Sequence, residues 1–300
     1  MKILVTGGCG FIGSHVAEFY ARGGHVVTVL DNLSSGHRSN IQSFQKKVKL
    51  VVGDVRHQAL VTRLVKGSDG VIHLAAIASV PRSIEDPQLC HEVNVQGSLN
   101  ILHAALQSKH QPKVVFASSA AVYGIPKKLP LTEKAPIAPI SPYGTHKRVV
   151  EEYGLQYHSC FGLRFTALRF FNVFGPRQDP NSPYSGVISI FKRLAAAGKT
   201  ATIFGNGKQT RDFIMVSDVV AMIHLCVRQK KSDGEIYNVG TGRTTNLIQL
   251  WDIVAPGVKP KFAVVREGDI PRSQADVSKA RRNLGFRPGE SLGDLSFYHK

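Results

Sequence analysis

Two residues able to exchange a proton lie four positions apart, Tyr143 and Lys147, within the stretch Ser-Pro-Tyr-Gly-Thr-His-Lys at 141–147. Pro142 is typical of the first turn of a helix, and residues four apart on a helix share a face. A lysine ammonium beside a phenol lowers the phenol pKa from ~10, which makes the tyrosine usable as a general base near neutral pH. The same spacing occurs on any amphipathic helix, so the catalytic interpretation depends on the surroundings.

A further hydroxyl is expected near this pair. Ser118 and Ser119 directly follow the predicted strand Lys113–Ala117. Open parallel sheets bind their ligands at the carboxyl ends of strands. We therefore expect Ser119 to join Tyr143 and Lys147 as the third candidate catalytic residue.

Residues 6–13 read Thr-Gly-Gly-Cys-Gly-Phe-Ile-Gly, between a predicted strand and a predicted helix. Gly7, Gly10 and Gly13 allow a tight turn, close approach of a pyrophosphate and close helix–strand packing, and the helix N-terminus favours an anion. A plain strand–helix turn also favours glycine. However, Asp31 directly follows the second predicted strand, where a carboxylate binds ribose hydroxyls and repels a 2′-phosphate. The combination predicts a dinucleotide site for NAD rather than NADP.

Asp54 follows the third predicted strand and could reach an adenine amino group; the alternative is an ordinary turn aspartate. Other residues next to the predicted strand ends and the glycine loop complete the candidate cofactor site. They are Phe11, Ile12, Asn32, Ser35, Gly36, Val55, Leu74, Ala75 and Ala76.

Short apolar segments alternate with longer amphipathic segments in the first half of the chain. This alternation predicts an α/β fold, with a Rossmann-type doubly wound parallel sheet covered by helices on both faces. The predicted strands are Lys2–Thr6, His25–Leu30, Val48–Val52, Val71–Leu74, Lys113–Ala117 and Phe165–Phe170, and the predicted helices are Ile12–Arg22, Gln58–Val65, Pro87–Gln107 and Tyr143–Ser159.

The alternation ends near residue 170, where Asn172–Gln209 is rich in Gly, Pro, Asn and Ser. A strand–helix pattern returns at about residues 211–240. We therefore expect an NAD-binding Rossmann domain over residues 1–170, with that returning segment. It would be interleaved with a smaller α+β lobe, residues 171–300, that binds the substrate.

The composition of the 300-residue chain is that of a globular protein, with 43% hydrophobic and 20% charged residues. No apolar run approaches the ~18 residues of a membrane span, and no signal-peptide pattern precedes the first strand. The four cysteines are far apart and lack the spacing of metal ligands. We expect free thiols, no metal, no membrane partner and a cytoplasmic protein.

The chain is strongly basic, with 38 Lys and Arg against 21 Asp and Glu, a formal net charge of +17. Such an excess raises the question of a nucleic-acid partner. The basic clusters, such as Lys46–Lys49 and Arg228–Lys231, are short and dispersed, and no nucleic-acid-binding motif accompanies them. Solvated surface side chains explain them better, so we expect no nucleic acid and keep such binding as an alternative.

These motifs resemble the extended short-chain dehydrogenase/reductases over residues 1–290, and among them the nucleotide-sugar 4-epimerases, particularly the bacterial UDP-N-acetylglucosamine 4-epimerase group. Four further stretches carry the resemblance. They are Ala78–Ser83, Asn172–Pro180, Thr210–Phe213 and Arg266–Asp269.

The resemblance implies NAD as the cofactor and a UDP-sugar as the substrate. It makes Tyr143 the acid/base, with Ser119 on the sugar O4 and Lys147 on the nicotinamide ribose. Arginine suits a diphosphate because its forked donors match the phosphate oxygens. The implied substrate residues are Asn172, Arg211 and Arg266 for the diphosphate and Asp269 for the uridine ribose.

The two residues after Ser119 separate reaction types within the resembled group. Dehydratases carry an Asp-Glu pair there, and UDP-glucuronate decarboxylases carry a glutamate at the second position. This chain has Ala120 and Ala121 instead. A methyl group cannot transfer protons, so elimination and the usual decarboxylation are disfavoured. The remaining expectation is an epimerase that inverts C4 of a UDP-hexose through a 4-keto intermediate.

Ser273 bears on substrate breadth. In the glucose-specific relatives a tyrosine four residues beyond the Asp269 position closes the sugar pocket, and Ser273 occupies that position here. A small side chain leaves room for an N-acetyl group, which predicts activity on UDP-glucose and UDP-galactose and on UDP-GlcNAc and UDP-GalNAc. The alternative is that the loop differs and Ser273 faces elsewhere.

Two other interpretations of the function have to be considered. A UDP-glucuronate 4-epimerase would need a cation for the carboxylate, which Arg82 or Arg177 would have to supply. An NAD sensor on an inactive scaffold would have lost the serine, tyrosine or lysine, and all three are present.

The resemblance also implies a homodimer through the helices predicted at Pro87–Gln107 and Tyr143–Ser159, although their apolar residues could equally form the core of one chain.

Overall fold

The apolar segments of the sequence form strands in the computed structural model of the chain, which describes residues 1–179, 186–265, 270–289 and 292. Val, Ile, Leu and Phe dominate the central strands, as is typical of strands buried on both faces. In chain order the strands are β1 (Lys2–Thr6), β2 (Val26–Asp31), β3 (Val48–Val52), β4 (Gly70–His73), β5 (Lys113–Ser119), β6 (Phe165–Phe170), β7 (Asn172–Phe174), β8 (Thr202–Phe204), β9 (Thr210–Arg211), β10 (Phe213–Met215), β11 (Glu235–Val239), β12 (Thr245–Asn246) and β13 (Lys261–Ala263).

The amphipathic segments form helices. Some of them begin at a proline or a capping side chain, and most end at a glycine or a polar residue. In chain order they are α1 (Phe11–Arg22), α2 (Gln58–Lys66), α3 (Val80–Glu85), α4 (Pro87–His91), α5 (Gly97–Gln107), α6 (Pro142–Phe161), α7 (Val187–Ala196), α8 (Val216–Arg228), α9 (Leu247–Val254) and α10 (Ser278–Leu284).

The predicted helix Pro87–Gln107 is helical throughout, and it contains a π-helical turn that the sequence did not indicate. It consists of α4, a π-helical turn at Glu92–Gln96, and α5. The side chain of Asp86 caps α4 at its start, directly before the proline. Within the π turn, the side chain of Asn94 accepts the Ile77 N–H at 2.8 Å and donates to the Ile77 carbonyl at 3.1 Å. These bonds tie the turn to the loop after β4.

Seven strands form one parallel sheet in the order β11-β6-β5-β4-β1-β2-β3. The strand order reverses between β1 and β4, which are hydrogen-bonded to each other. In an open α/β sheet, the crevice at such a reversal, outside the carboxyl ends of the strands, is where ligands bind. This sheet confirms the predicted Rossmann-type doubly wound fold.

Alternate side chains of the strands pack into two hydrophobic cores on opposite faces of the sheet. Ile3 and Val5 of β1 belong to the core under α1 and α8. Leu4, between them, belongs to the core under α2, α5 and α6. The helices of both layers therefore hold the carboxyl ends of the strands in fixed relative positions.

A smaller α+β lobe follows β6. Three short strand pairs form it, β7 with β10, β8 with β13, and β9 with β12. Phe191 of α7 and Trp251 of α9 meet edge to face in its core, with ring centroids 5.2 Å apart. The chain rejoins the main sheet at β11, which pairs with β6. None of the helices in the described parts of the chain is both long and apolar enough to cross a bilayer.

Gly154 of α6 lies directly against the buried Phe165 ring of β6, and a Cβ at this position would overlap that ring. We expect Gly154→Ala to lower the free energy of unfolding by about 1–3 kcal/mol, because overpacking outweighs the better helix propensity of alanine. The measurement is the urea midpoint. Gly67→Ala, at the end of α2, is the control, since its Cβ would come no closer than 3.9 Å to another atom. Equal losses in both variants would contradict this packing.

Candidate active site

In the glycine loop between β1 and α1, Gly7 and Gly13 pack tightly against neighbouring backbone, whereas Gly10 has more space around it. Gly7 has a φ of +68°, and a Cβ there would lie 2.8 Å from the backbone nitrogen of Ala75. A Cβ on Gly13 would overlap the Gly7 carbonyl, whereas one on Gly10 would meet only that carbonyl oxygen, at 3.2 Å. The first turn of α1 has no side-chain cap and no acidic residue. Its N–H groups are therefore available to an anion beside Gly10.

Asp31, at the end of β2, lies against the same loop. Its carboxylate accepts the Cys9 N–H and the Leu33 N–H, each at 2.8 Å. A Cβ on Gly36 would come within 2.9 Å of this carboxylate, so the chain passes close above it. Each carboxylate oxygen has two acceptor positions, which leaves Asp31 able to bind a ribose hydroxyl. The loop and this carboxylate together fit the adenosine and pyrophosphate parts of NAD.

Asp54 has partners that the sequence does not identify. Its carboxylate accepts hydrogen bonds from Asn32 Nδ2 at 2.9 Å and from Arg56 Nε at 3.0 Å. Burial raises the pKa of Asp54, but the hydrogen bonds from Arg56 and Asn32 outweigh it and lower the pKa to about 2. Arg56 also donates to Glu92, at 3.1 Å. Asp54 is thus an ionised group held in place by Arg56.

The other cofactor candidates also lie near the carboxyl ends of the strands. Leu74 and Ala75 follow β4, and both donate their N–H groups to Thr6 Oγ1 at 3.2 Å. This contact holds the loop after β4 against the glycine loop. Phe11 and Ile12 begin α1, Val55 is buried after β3, Ala76 is partly buried, and Asn32 and Ser35 are exposed.

The structure brings Ser119, Tyr143 and Lys147 together, as the sequence predicted. Lys147 is 4% exposed, and its Nζ donates to the Ala117 carbonyl of β5 at 2.7 Å. The same Nζ lies 5.7 Å from the centroid of the Tyr143 ring. The Ser119 side chain lies close enough to the Tyr143 hydroxyl to lower its pKa, and it accepts the Ala121 N–H at 3.2 Å. One hydroxyl, one phenol and one ammonium thus meet where β5 ends.

Burial dominates the protonation of this group. It raises the pKa of Tyr143 to about 12, against the lowering effect of the hydrogen bond with Ser119. It lowers the pKa of Lys147 to about 7, against the raising effect of the Glu151 charge. The sequence pointed only to the effect of the ammonium on the phenol. Burial, which the sequence does not reveal, acts on the phenol in the opposite direction.

Two serines and a glycine fix the start of α6. The side chain of Ser141 accepts the Gly144 N–H at 3.2 Å, and the buried Ser83 side chain accepts the Tyr143 N–H at 3.1 Å. A Cβ on Gly144 would lie 2.7 Å from the Ala121 carbonyl, so α6 begins in direct contact with the loop after β5. Ser83 belongs to one of the stretches that carry the family resemblance, but no role was predicted for it from the sequence. Here it positions the backbone of the tyrosine.

The predicted substrate residues Asn172, Arg211 and Ser273 lie on neighbouring segments of the smaller lobe. The Asn172 N–H donates to the Asp212 carbonyl at 3.0 Å. The Ser273 N–H donates to the Thr210 carbonyl at 3.1 Å, which places Ser273 beside β9 and next to Arg211. The predicted residues Arg266 and Asp269 lie outside the described residues.

Asp212 is a site residue that sequence reasoning did not single out. It is fully buried, and its carboxylate accepts the N–H groups of Thr241 at 2.8 Å, Gly242 at 2.9 Å and Ala275 at 3.0 Å. These bonds join three separate segments of the lobe. Asp212 thereby fixes the backbone that carries Arg211.

The cysteines offer no reactive centre at this site. Cys9, in the glycine loop, is buried, and burial raises its pKa to about 11. The other cysteines are free as well, and only Cys160 is exposed. Over residues 1–179, 186–265, 270–289 and 292, no group of three or more His, Cys, Asp or Glu side chains is placed to hold a metal ion.

The solved structures similar to this chain include several UDP-sugar 4-epimerases as well as a dTDP-glucose 4,6-dehydratase from Streptomyces venezuelae. UDP-glucose 4-epimerase from Thermotoga maritima, solved with UDP-glucose, is 37% identical with a TM-score of 0.91, over 97% of this chain and 95% of that one. UDP-glucose 4-epimerase from Thermus thermophilus, solved with NAD, is 38% identical with a TM-score of 0.87, over 98% and 96%.

A third structure extends the comparison to an amino-sugar enzyme. UDP-N-acetylglucosamine 4-epimerase from Methanobrevibacter ruminantium M1, in complex with UDP-N-acetylmuramic acid, is 36% identical with a TM-score of 0.91. The match covers 96% of this chain and 93% of that one. The model of the NAD dependent epimerase/dehydratase family matches residues 3–240. With its doubly wound sheet, its glycine loop and its Ser119, Tyr143 and Lys147 side chains, the chain belongs to the NAD dependent epimerase/dehydratase family of the extended short-chain dehydrogenase/reductases.

Proposed function

We propose that the chain is an NAD-dependent epimerase that inverts C4 of UDP-hexoses. The observation that carries this proposal is the Ser119 side chain beside the Tyr143 phenol and the buried Lys147, with Ala120 and Ala121 directly after Ser119. This arrangement offers one acid/base group and no second one directly after Ser119. It suits removal and return of the O4 proton, without the additional proton transfers that elimination requires.

When bound, NAD would accept the hydride from C4 and, as NADH, give it back to the opposite face of the 4-keto sugar, and in its oxidised form it would place a positive charge beside the phenol. Tyr143 takes the proton of the sugar O4, and Ser119 donates a hydrogen bond to that oxygen. The Lys147 ammonium stabilises the phenolate electrostatically and reaches the ribose next to the nicotinamide. After the 4-keto sugar has rotated within the site, Tyr143 returns the proton to O4.

We assign the remaining groups by their chemistry and by the family resemblance. Gly7, Gly10, Gly13 and Asp31 would hold the pyrophosphate and the adenosine ribose of NAD. Asn172, Arg211 and Arg266 would bind the UDP diphosphate, and Asp269 the uridine ribose. The Arg211 position on β9, beside Ser273, supports this placement.

We also propose that the two parts of the chain bind different ligands. Residues 1–170 and the returning segment 211–240 would bind NAD, and the interleaved lobe 171–300 would bind the UDP-sugar. We also propose a cytoplasmic homodimer that pairs α5 and α6 with a second copy. Val93, Val95, Leu102 and Val150 are buried in the core of one chain. Leu99, Val149 and Leu155 are only partly buried and Tyr153 is exposed, which leaves them for the dimer.

The geometry does not favour a UDP-glucuronate 4-epimerase. Arg82 pairs with Asp86 at 3.3 Å and with Glu85 at 3.6 Å. Arg177 pairs with Glu18 of α1. Both candidate cations for a sugar carboxylate therefore already have carboxylate partners.

The direct test is to release and identify the bound cofactor and then assay conversion. We expect denatured protein to release NAD. We expect the native enzyme to interconvert UDP-galactose with UDP-glucose and UDP-GalNAc with UDP-GlcNAc, followed by NMR or chromatography. UDP-galacturonate should remain unchanged. Failure to convert any of these sugars would refute the proposed activity.

Ser273 can be tested as the determinant of substrate breadth. A tyrosine at this position would fill the space for an N-acetyl group, so Ser273→Tyr should reduce kcat/KM for UDP-GalNAc by about tenfold or more and spare UDP-galactose. The neighbouring exposed residue provides the control, as Arg272→Ala should leave the ratio of the two substrates unchanged. Equal loss of both substrates in the tyrosine variant would rule out this role.

Ser119 should also influence the pKa of Tyr143, the proposed general base. Because its hydrogen bond lowers the pKa of Tyr143, Ser119→Ala should raise that pKa and move the acidic limb of the kcat–pH profile to higher pH. Loss of a hydrogen bond to a charged group should also reduce kcat by about 10- to 100-fold. Thr145→Ala, an exposed change on the same helix, should preserve the profile. A lower kcat with an unmoved acidic limb would restrict Ser119 to binding the sugar.

A further inference from the structure

A buried carboxylate lies directly behind the catalytic lysine. Glu151 follows Lys147 by one turn of α6 and is 0% exposed. It accepts hydrogen bonds from Ser118 Oγ at 2.6 Å and from both sides of the Arg169 guanidinium, Nε at 2.8 Å and Nη2 at 2.7 Å. Arg148 Nη1 adds a fourth contact at 3.2 Å. Both oxygens are thus engaged by donors from α6, β5 and β6.

Arg169 is as buried as its partner, at 1% exposed. Its Nη1 donates to the Tyr123 hydroxyl at 2.9 Å and to the Glu133 carbonyl at 3.1 Å. The Tyr123 hydroxyl in turn donates to Asn238 of β11 at 2.7 Å. The guanidinium is therefore held at both ends, and it fixes the position of the carboxylate.

Stability alone does not account for this pair. Removing two charges from water is costly, and well-packed apolar side chains often serve a core as well as a buried ion pair or better. The position of the pair provides another reason. It joins Ser118, the residue before Ser119, to the helix that carries Lys147.

Among the described residues, the charged and titratable groups around Lys147 leave Glu151 as its source of negative charge. On α6 the neighbours are Tyr143, His146 and Arg148, and from β4 the neutral His73 approaches, its pKa lowered to about 3 by burial. From β5 the contacts are uncharged, namely the Ala117 carbonyl and the Phe116 ring, whose centroid lies 4.8 Å from Nζ. Arg169 of β6 is cationic and turned toward Glu151.

We propose that Glu151, held in place by Arg169 and Ser118, is a positioning residue that keeps Lys147 protonated during catalysis. This inference rests on the proposed epimerase function, in which the ammonium stabilises the Tyr143 phenolate. Glu151 is one helical turn from Lys147 but about 12 Å along the helix from Tyr143. Its charge therefore favours the ammonium much more than it opposes the phenolate.

The charge can be removed with little change of shape in Glu151→Gln. Burial, no longer opposed by the carboxylate, should then move the loss of the lysine proton to lower pH. We expect the alkaline limb of the kcat–pH profile to move down by about one pH unit, with about tenfold lower kcat above that limb and a nearly unchanged KM. The measurement uses the NAD-loaded enzyme with UDP-galactose.

A matched control lies at the other end of the same strands. Asp233 accepts hydrogen bonds from the buried Lys113 at the start of β5 and from Arg164 Nε, at 3.1 Å, just before β6. Asp233→Asn also removes the charge from a buried ion pair, far from the carboxyl ends where the site lies. It should lower the melting temperature and leave both limbs of the pH profile in place.

Glu151→Asp keeps the charge and serves if the glutamine variant does not fold. Its shorter side chain draws the carboxylate away from its partners, so the alkaline limb should move in the same direction by a smaller amount. Unmoved limbs in whichever Glu151 variant is folded would overturn the inference. Wild-type enzyme that converts no UDP-sugar would instead overturn the proposed function, so the two failures can be told apart.

Discussion

The ammonium of Lys147 lies almost completely out of solvent, 2.7 Å from the carbonyl of Ala117 at the end of β5. A positive charge in such a place needs compensation, because burial brings the pKa of this lysine down to about 7. The arrangement around it meets that need. A carbonyl oxygen and an aromatic ring contact the ammonium directly, and the Glu151–Arg169 pair lies behind it. The chemistry that we propose for Tyr143 depends on this compensated charge.

The doubly wound sheet makes the site possible because it ends every contributing strand at the same edge. The glycine loop follows β1, Ser119 ends β5, and Asn172 follows β6, so the proposed cofactor and substrate residues lie at the same edge of the sheet. Packing from both faces fixes these ends. Where the backbones approach most closely, at Gly13 against Gly7 and at Gly144 against Ala121, a Cβ would have no room.

Much of this could be predicted from the sequence, because the signals are local. The strands, the glycine loop, Asp31 and the Tyr143–Lys147 spacing each lie within a few residues or follow a regular period. The π-helical turn within the helix Pro87–Gln107 could not be predicted, since Asn94 in this turn binds a distant loop. The direction of the Tyr143 pKa shift could not be predicted either, because it depends on burial. The Glu151–Arg169 pair joins segments that are brought together only by the fold.

The central claim is that this site moves one proton at O4 and none at carbon. The most direct measurement is to convert UDP-galactose to UDP-glucose in D₂O and to examine the product by ¹H NMR. The hydrogen removed from C4 should return to the same carbon, and Ala120 and Ala121 offer no base for C5. We predict product without deuterium at C4 or C5. Deuterium at C5 would show that a base acts there, and deuterium at C4 would show exchange with solvent. Either result would contradict the account.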